Sequence, residues 1–460
     1  MLTLENIIEA TGGRALTECP KRFKGVSTDS RATAKGELFV PLSGERFDGH
    51  DFIEDVLKKG AAGSLVQAGR KTGAVKGGCL IEVPDTLRAL QDIAAWIRRS
   101  RRDTLVIGVT GTNGKTTTKE MLASVLSVKG PVLKNEGNLN NHIGLPLTLM
   151  GLRPEHWAAV LEMGMSAEGE IARLAEIAMP SVGIITNIGP AHLLGLGSMD
   201  AIVRAKGELV DALPDDGRAV LNSDDPYLKG LIEKNKGRAV TFGLGAGATI
   251  TAEDIRESVD GVSFKLVMPG GRAAVSLPVM GAHNVVNALA AAGAAWCAGM
   301  SVSDIKAGLD SFSPAKMRME VVEVGGARVI NDAYNANPAS MAAALTALAS
   351  VKDCRRIAVL GDMLELGDAA RISHHNVGRL AGAEGLSLLV LMGAHAEDTA
   401  EGAAEAGMDE DDIVVASGPE EAAAAVAGRM KRGDCLLLKG SRGMRMERII
   451  ELLKHRRLSA

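Results

Sequence analysis

The chain has 460 residues, enough for about two to four domains of ordinary size. Apolar residues make up 46% of it and charged residues 23%, which is typical of globular proteins with large cores. The net charge of −4 is small for this length and aromatic residues amount to only 3%, which argues against a nucleic-acid-binding surface.

Membrane and secreted proteins are disfavoured as well. No apolar run reaches about 18 residues, so we expect no membrane span. Residues 1–10 include Glu5 and Glu9 and lack the basic-then-apolar pattern of a signal peptide. The five cysteines lie far apart without a C-x-x-C pair, which favours reduced thiols over a disulfide scaffold or a cysteine zinc site. Together these features predict a cytoplasmic protein.

Residues 1–83 have the pattern of a small α/β domain. Helical spacing at 2–11 is followed by short β-rich runs at 37–41 and 79–83. We therefore place the first domain boundary after residue 83.

From residue 84 apolar strands alternate with helices, which predicts a mostly parallel sheet covered on both faces. The predicted elements are a helix at 85–101, a strand at 104–110, a strand at 158–161, a helix at 167–178, a strand at 182–186, a helix at 199–213 and a strand at 218–221. Residues 246–277 differ, because alternating apolar positions and a Pro-Gly-Gly turn indicate an antiparallel insertion. An Ala-rich helix follows at 284–298, and a linker at 310–316 ends this domain near residue 313.

Beyond the linker, strands and helices alternate again. The predicted strands are 329–331, 357–360, 388–392 and 436–439, and the predicted helices are 338–349, one from 372 and one from 444. Asn337 and Pro338 form a good helix start, since a capping side chain precedes proline at the first helical position. The third domain is therefore expected to span 314–460.

The segment most informative about chemistry follows the strand at 104–110. It reads Thr110, Gly111, Thr112, Asn113, Gly114, Lys115, Thr116 and Thr117, and a helical pattern comes after it. Glycines let consecutive backbone N–H groups turn towards one anion, and the helix N-terminus adds a partial positive charge. Lys115 would contact the outer phosphates of ATP, and the Thr116 hydroxyl would bind Mg²⁺.

The match to the general pattern G-x-x-x-x-G-K-[ST] is imperfect, because Gly108 comes one residue early. The alternative is a glycine-rich turn on a Rossmann-like edge. If the segment binds a nucleotide, the predicted fold class is α/β with three domains. A central P-loop parallel-sheet ATPase domain is flanked by a small N-terminal α/β domain and a Rossmann-like C-terminal domain.

The loop resembles that of the Mur ligase family, which also includes folylpolyglutamate synthase. Further segments that are similar to this family follow in the family's order, namely N-E-G-N-L-N-N-H-I-G at 135–144, L-E-M-G-M at 161–165, N-I-G-P-A-H at 187–192, A-K-G-E at 205–208, G-A-H-N at 281–284 and N-D-A-Y-N-A-N-P at 331–338. The resemblance runs from about residue 26 to 448 and implies an ATP-dependent amide ligase.

Some segments favour one branch of the family. V-L-G-D-M-L-E-L-G at 359–367, K-G-S-R-G-M-R-M-E at 439–447, S-T-D-S-R at 27–31 and G-E-R-F-D-G-H at 44–50 resemble the ligases that join D-alanyl-D-alanine to UDP-N-acetylmuramoyl-tripeptide. The implied reaction activates the tripeptide carboxylate as an acyl phosphate and yields the pentapeptide precursor of the cell wall, ADP and phosphate. The implied partners are these two substrates, with no nucleic acid, no membrane span and a monomeric state.

Residue chemistry and resemblance together give a candidate site with ATP and two Mg²⁺ ions. Glu162 ends an apolar strand, where a lone carboxylate is costly unless it is paired or metal-bound. By resemblance His192 helps to hold the second metal, and Lys206 carries CO₂ as a carbamate that binds Mg²⁺. The catalytic residues are thus Lys115, Glu162, His192 and Lys206, and the metal ligands are Thr116, Glu162, His192 and carbamylated Lys206.

The remaining assignments come from the resemblance. They place Asn284 and Asn287 on adenine, Arg318 on phosphate and Asp332 on ribose. Ser30, Arg31, Asn138 and Asn141 would bind the uridine substrate, and Asn335, Asn337, Ser441 and Arg442 would bind D-alanyl-D-alanine. Plainer roles are a helix cap for Asn284 and a surface salt bridge for Arg31.

Two alternatives within the ligases are a relative that adds a different amino acid and a folylpolyglutamate-synthase-like enzyme. A non-enzymatic alternative is a P-loop nucleotide switch. A switch needs no second metal shell behind the loop, so Glu162, His192 and Lys206 favour the ligase.

Overall fold

The computed structural model describes residues 2–44, 47–70, 78–190, 196–258, 260–352 and 354–455. Its architecture is α/β with largely parallel sheets, which confirms the predicted fold class. The domain boundaries after residues 83 and 313 stay predictions. Within the described ranges, no helix is both long enough and apolar enough to cross a membrane.

The N-terminal part forms a sheet with strand order β2-β7-β6-β5-β4, in which β4 to β7 pair in parallel and β2 is antiparallel. Its elements are β1 (Leu2–Thr3), α1 (Leu4–Thr11), β2 (Arg14–Ala15), β3 (Arg22–Phe23), β4 (Val26–Ser27), β5 (Leu38–Phe39), a 3-10 helix (Gly49–Phe52), α2 (Ile53–Lys58), β6 (Gly63–Gln67) and β7 (Cys79–Val83). Strand β1 pairs with β3 beside this sheet. Buried Leu38, Leu65 and Ile81 from adjacent strands fill the core.

A disulfide joins Cys19 and Cys79, with the sulfurs 2.09 Å apart, so the prediction of reduced thiols is wrong for this pair. The two cysteines are 60 residues apart in sequence, and a spacing pattern does not predict a disulfide across that separation. Folding brings the two together because the backbone N–H of Leu16 donates to Leu80 in β7, which aligns the following residues with Cys79. A Cβ on Gly63 would lie 2.8 Å from the Cys79 sulfur, so glycine makes room for the bridge.

The central part is a parallel sheet with strand order β13-β12-β11-β8-β10-β9. Its elements are α3 (Thr86–Arg99), β8 (Leu105–Thr110), α4 (Lys115–Ser127), β9 (Val132–Lys134), α5 (Gly144–Leu149), β10 (Ala158–Glu162), α6 (Glu170–Ala178), β11 (Val182–Ile185), α7 (Met199–Asp211), β12 (Arg218–Asn222), a 3-10 helix (Pro226–Leu228), α8 (Lys229–Lys234) and β13 (Ala239–Phe242). Ile107 and Val109 of β8 pack into one core and Val106 into the other, which is the alternation expected of a sheet buried on both faces.

Gly108 belongs to this packing and not to the phosphate loop. A Cβ at Gly108 would lie 2.8 Å from Cδ1 of Leu209, so the strand approaches α7 more closely than any other residue allows. This explains why the glycine stands one position early relative to the general P-loop pattern.

The antiparallel insertion lies where it was predicted. Strands β14 (Thr251–Ser258), β15 (Gly261–Met268) and β16 (Gly271–Leu277) pair in that order. Helices α9 (Ala282–Cys297) and α10 (Val302–Asp310) follow. Both pack on α4, and a Cβ at Gly308 of α10 would come within 2.3 Å of the Val125 Cα.

The C-terminal part forms a sheet with strand order β17-β18-β22-β19-β20-β21, parallel except for the β17–β18 pair. Its elements are β17 (Glu320–Val324), β18 (Ala327–Asp332), α11 (Pro338–Ala349), β19 (Arg356–Gly361), a 3-10 helix (Gly367–Ala369), α12 (Ala370–Ala383), β20 (Leu388–Met392), α13 (Ala396–Glu405), a 3-10 helix (Glu410–Asp412), β21 (Ile413–Ala416), α14 (Pro419–Arg429), β22 (Cys435–Lys439), a 3-10 helix (Arg442–Met444) and α15 (Glu447–Lys454). Asn337 caps α11 ahead of Pro338, as predicted. Because β18, β22 and β19 run parallel, their carboxyl ends lie at one edge of the sheet.

Helices α12 and α13 pack with very little space between their backbones, which leads to a stability prediction. A Cβ at Gly378 would lie 2.0 Å from the carbonyl oxygen of Thr399, so Gly378→Ala should destabilise the protein by about 1–3 kcal/mol through overpacking. A Cβ at Gly428 in α14 would meet no atom within 4 Å, so Gly428→Ala should be neutral or stabilising by up to about 1 kcal/mol. Thermal unfolding of both variants checks the pair, and an unchanged melting temperature for Gly378→Ala would contradict the packing argument.

Candidate active site

The phosphate loop leaves β8 and turns sharply into α4. Gly111 has φ +145° and Gly114 has φ +79°, conformations that favour glycine. A Cβ at Gly111 would lie 1.9 Å from Oγ1 of Thr186, and one at Gly114 would lie 2.2 Å from Oδ1 of Asn287. No side chain caps the N-terminus of α4, so its first N–H groups are available to an anion.

The segment 186–189 holds the loop in this shape. Thr112 Oγ1 donates to the Gly189 carbonyl (3.1 Å), and the Gly189 N–H donates back to the same hydroxyl (2.8 Å). The Asn113 N–H donates to Asn187 Oδ1 (2.9 Å), and Thr186 Oγ1 donates to the Asn113 carbonyl (2.6 Å). These four hydrogen bonds therefore fix the shape of the loop.

Lys115 begins α4 and its ammonium folds back over the loop. Its Nζ donates to the carbonyls of Gly111 (2.8 Å) and Thr112 (2.9 Å). Burial lowers the pKa of Lys115, with Glu162 opposing and Arg318 adding to that effect. The ammonium is thus held where a phosphate at the helix N-terminus would meet it.

Thr116 and Glu162, the two side chains predicted to bind one metal ion, lie side by side. Thr116 Oγ1 donates to Glu162 Oε2 (2.7 Å), and Glu162 is buried, with only 3% of the residue exposed. Asn140 Nδ2 donates to the other carboxylate oxygen (2.8 Å). A hydroxyl and a carboxylate are oxygen ligands of the kind that Mg²⁺ prefers.

Asn135 and Asn140 were not among the predicted site residues, although the segment 135–144 was. Asn135 brackets the Glu162 backbone, because its Nδ2 donates to the Glu162 carbonyl (2.9 Å) and its Oδ1 accepts the Glu162 N–H (2.9 Å). Buried Lys119 in turn donates to the Asn135 carbonyl. Only the abundance of asparagine in this segment could have pointed to such a role from sequence.

Lys206 of α7 also reaches the loop. It is 3% exposed, and its Nζ donates to the Gly111 carbonyl (3.1 Å). Burial, reinforced by Lys115, lowers the pKa of Lys206 well below its ordinary value. His192 lies outside the described residues, and among those described no group of three or more His, Cys, Asp or Glu side chains is arranged to hold a metal ion.

Asn284 and Asn287 lie at the start of α9, directly behind the loop. Asn287 Nδ2 donates to Asn284 Oδ1 (3.0 Å), and Asn284 Nδ2 donates to the Met280 carbonyl (2.7 Å). The plainer expectation that Asn284 caps the helix is wrong, because the N-cap residue is Gly281 and it makes no side-chain cap.

The C-terminal part contributes residues to the same region. Asn337 Nδ2 donates to Asn113 Oδ1 (2.8 Å), which joins the third part of the chain directly to the phosphate loop. The Arg318 guanidinium stacks over the Tyr334 ring at 4.1 Å. Burial is the main cause of the lowered pKa of Lys115, and the positive charge of Arg318 adds to it.

Asp332 is already engaged by neighbouring groups. One carboxylate oxygen pairs with the ammonium of buried Lys439, and the other accepts the Met319 N–H at 3.2 Å. Lys439 also donates to the Asn335 carbonyl at 3.2 Å. This arrangement fixes the carboxylate at the end of β18.

The residues predicted to bind the uridine substrate lie in the N-terminal part and before α5. Arg31 forms a two-bond pair with Asp29, both bonds 2.9 Å, and lowers the pKa of that carboxyl to about 2, which is the surface salt bridge named as its plainer role. Asn141 caps the turn into α5 through the N–H groups of Ile143 and Gly144, while Asn138 is exposed. In the described part of the chain, no hydrogen bond joins Ser30 or Arg31 to the phosphate loop.

Ser441 and Arg442 lie just past β22. Ser441 Oγ accepts the Leu364 N–H at 2.9 Å, so the hydroxyl holds a neighbouring loop. Arg442 Nη1 donates to Glu447 Oε1 at 2.6 Å, and the arginine side chain is 54% exposed. Arg442 is therefore accessible, whereas Ser441 is buried.

Comparison with known proteins places this site in a family. The chain matches the Mur ligase family catalytic domain over residues 22–96, the Mur ligase middle domain over 109–295 and the Mur ligase glutamate ligase domain over 317–442. It is 37% identical to the UDP-N-acetylmuramoyl-tripeptide–D-alanyl-D-alanine ligase of Bacillus subtilis (strain 168), covering 98% of this chain and 97% of that protein. The ligase of the same name from Escherichia coli (strain K12) is 36% identical, with 98% of each chain covered.

Solved structures give the same result. A crystal structure of MurF from Acinetobacter baumannii superposes with a TM-score of 0.91 at 35% identity, covering 99% of both chains. MurF ligase from Thermotoga maritima in complex with ADP gives a TM-score of 0.83 at 29% identity, covering 94% of this chain and 97% of that one. From the matched domains and the full-length relatives, this chain belongs to the Mur ligase family.

Proposed function

We propose that this protein uses ATP to join D-alanyl-D-alanine to UDP-N-acetylmuramoyl-tripeptide, giving the pentapeptide precursor of peptidoglycan, ADP and phosphate. The observation that carries this proposal is the Thr116–Glu162 pair beside the uncapped N-terminus of α4, with two lysines over the same loop. Full-length relatives that carry the name of this ligase support the choice of substrates.

ATP would bind with its phosphates against the N–H groups of Gly111 to Thr116. Lys115 now donates to two loop carbonyls, and it would exchange these bonds for contacts with the outer phosphates. The relative from Thermotoga maritima was solved in complex with ADP, which supports nucleotide binding by this chain. Asn284 and Asn287 are proposed on the adenine side.

The residues present fit magnesium. Thr116 and Glu162 would hold one ion together with phosphate oxygens, and the ion would neutralise the charge that develops on the transferred phosphoryl group. We propose that His192 and a carbamate on Lys206 hold a second ion. Lys206 suits this modification because burial favours the neutral amine, and only a neutral amine can attack CO₂.

The chemistry divides into two transfers. The tripeptide carboxylate attacks the γ-phosphorus of ATP, the bond to ADP breaks, and an acyl phosphate forms. The dipeptide amine then attacks the acyl carbon, phosphate leaves with its bonding electron pair, and the attacking nitrogen loses a proton. Lys115 and Arg318 supply positive charge to these anionic species, and a fixed loop supplies positioning.

Water must be kept from the acyl phosphate. Asn337 contacts the phosphate loop from the third part of the chain, which supports the proposal that this part covers the nucleotide and places Arg318 and Asp332 on it. We place the uridine substrate on the N-terminal domain near Ser30, Arg31, Asn138 and Asn141. D-alanyl-D-alanine is placed near Asn335, Asn337, Ser441 and Arg442, and the enzyme is taken to be a cytoplasmic monomer.

The first test is substrate dependence combined with a Lys115→Ala variant. Phosphate release should require ATP, UDP-N-acetylmuramoyl-tripeptide and D-alanyl-D-alanine together, and Lys115→Ala should reduce turnover by a factor of about 10²–10³ because phosphate charge is no longer neutralised. Lys236→Ala, at an 82%-exposed side chain, is the matched control and should behave as wild type. Phosphate release from ATP alone, at the full rate, would instead favour a nucleotide switch.

The carbamate is tested by labelling. Protein equilibrated with ¹³C-bicarbonate should give a carbamate carbon signal that is absent from Lys206→Ala, because the buried amine beside Gly111 is the group modified. Lys234→Ala, at a side chain that is 66% exposed, should retain the signal. A signal that persists in Lys206→Ala would disprove the assignment.

Arg318→Ala tests the part played by the third domain. Turnover should fall by about 10-fold or more through loss of a phosphate contact made on closure, while the dissociation constant for the uridine substrate, measured by calorimetry, should change by less than about twofold. Weaker binding of the uridine substrate would show that Arg318 does something other than contact ATP.

A further inference from the structure

The loop of residues 362–367, which follows β19, has no role in the function proposed so far. It lies at the same edge of the C-terminal sheet as the ends of β18 and β22, since these strands are parallel neighbours. Asn337, a few residues past β18, donates to Asn113 of the phosphate loop. This edge therefore faces the place where the phosphoryl group is transferred, and the attacking amine has to arrive there.

Two successive backbone N–H groups of the loop are held by side chains from different segments. The Met363 N–H donates to Nε2 of His374 (2.9 Å), and the Leu364 N–H donates to Oγ of Ser441 (2.9 Å). Nδ1 of His374 lies 2.7 Å from the Ala370 carbonyl and must be the donor there, because Nε2 is accepting. His374 thus links helix α12 to the loop through both ring nitrogens.

The surroundings of His374 keep it in this state. The residue is 2% exposed, its ring stacks on His395 with centroids 4.6 Å apart, and Asp362 lies 3.8 Å from Nε2. Asp362 is occupied by the N–H groups of Ala394 and His395, at 2.7 and 3.1 Å. Burial lowers the pKa of His374, so the ring stays neutral and Nε2 can accept the Met363 N–H.

The two bonds hold a leucine at the surface over the segment that follows β22. Leu364 is 47% exposed although it is apolar. A Cβ at Gly443 would lie 3.0 Å from its Cδ1, so Leu364 packs over Gly443, the residue that follows Arg442 in the chain. Apolar surface beside an accessible guanidinium is the chemistry that recognises a short peptide with small apolar side chains and a free carboxylate.

We propose that His374 is a positioning residue that fixes the 362–367 loop, so that Leu364 receives the methyl groups of the incoming D-alanyl-D-alanine while Arg442 receives its carboxylate. The inference rests on the proposed function and deepens it. His374 touches no substrate, because it is buried behind the loop that it holds.

Two similar substitutions separate the two bonds of His374. The side-chain amide of His374→Gln reaches the place of Nε2 and can still accept the Met363 N–H. The amide of His374→Asn ends at the place of Nδ1, so it keeps the bond to Ala370 and loses the one to the loop. His374→Asn should raise KM for D-alanyl-D-alanine about tenfold, the effect of one lost hydrogen bond, with KM for ATP and for the uridine substrate within about twofold. His374→Gln should stay close to wild type in all three constants.

Melting temperatures accompany the kinetics, and Leu364→Ala provides a variant outside the buried cluster. Leu364→Ala should raise KM for the dipeptide and leave the melting temperature unchanged, because its side chain is exposed. The inference is overturned if Leu364→Ala keeps the wild-type KM, or if folded His374→Asn and His374→Gln have the same dipeptide KM. These results require a wild-type enzyme that responds to the dipeptide; a wild type that ignores D-alanyl-D-alanine overturns the proposed function itself.

Discussion

The site depends on one buried carboxylate. Glu162 lies at the end of a central strand, almost out of contact with water, where an unpartnered charge would be very costly. The cost is offset because Thr116 and Asn140 each donate to one of its oxygens. The Asn135 side chain also hydrogen-bonds to both the N–H and the carbonyl of Glu162. A carboxylate held in this way has a fixed orientation towards the loop.

The C-terminal sheet also carries polar side chains at the carboxyl ends of its strands. Parallel strands place their carboxyl ends together, and loops at such an edge are the usual location of ligands in open α/β folds. At the C-terminal sheet this edge carries Asp332 with Lys439, and the 362–367 loop with Ser441. The contact between Asn337 and Asn113 sets that edge opposite the phosphate loop, so residues from two separate sheets meet beside this loop.

Sequence reasoning succeeded where structure is local in the chain. The loop at 111–114 directly joins the strand β8 to the helix α4, so this strand–loop–helix order could be predicted from the sequence. It was less successful for contacts between residues that are far apart in the sequence. Asn140 bonds to a residue 22 positions away, and the disulfide joins cysteines 60 positions apart; both depend on how strands return to one another, which spacing alone does not encode. Strand β17 (Glu320–Val324) was also missed, since it is a short edge strand that is interrupted by the charged residue Glu323.

The lack of room around the phosphate loop bears on drug resistance. Gly111 and Gly114 are enclosed so tightly that any side chain would strike a neighbour, and their φ values suit glycine alone. An inhibitor that bound only the peptide groups of this turn would be hard to escape by substitution at Gly111 or Gly114, because a side chain at either position would strike a neighbouring atom.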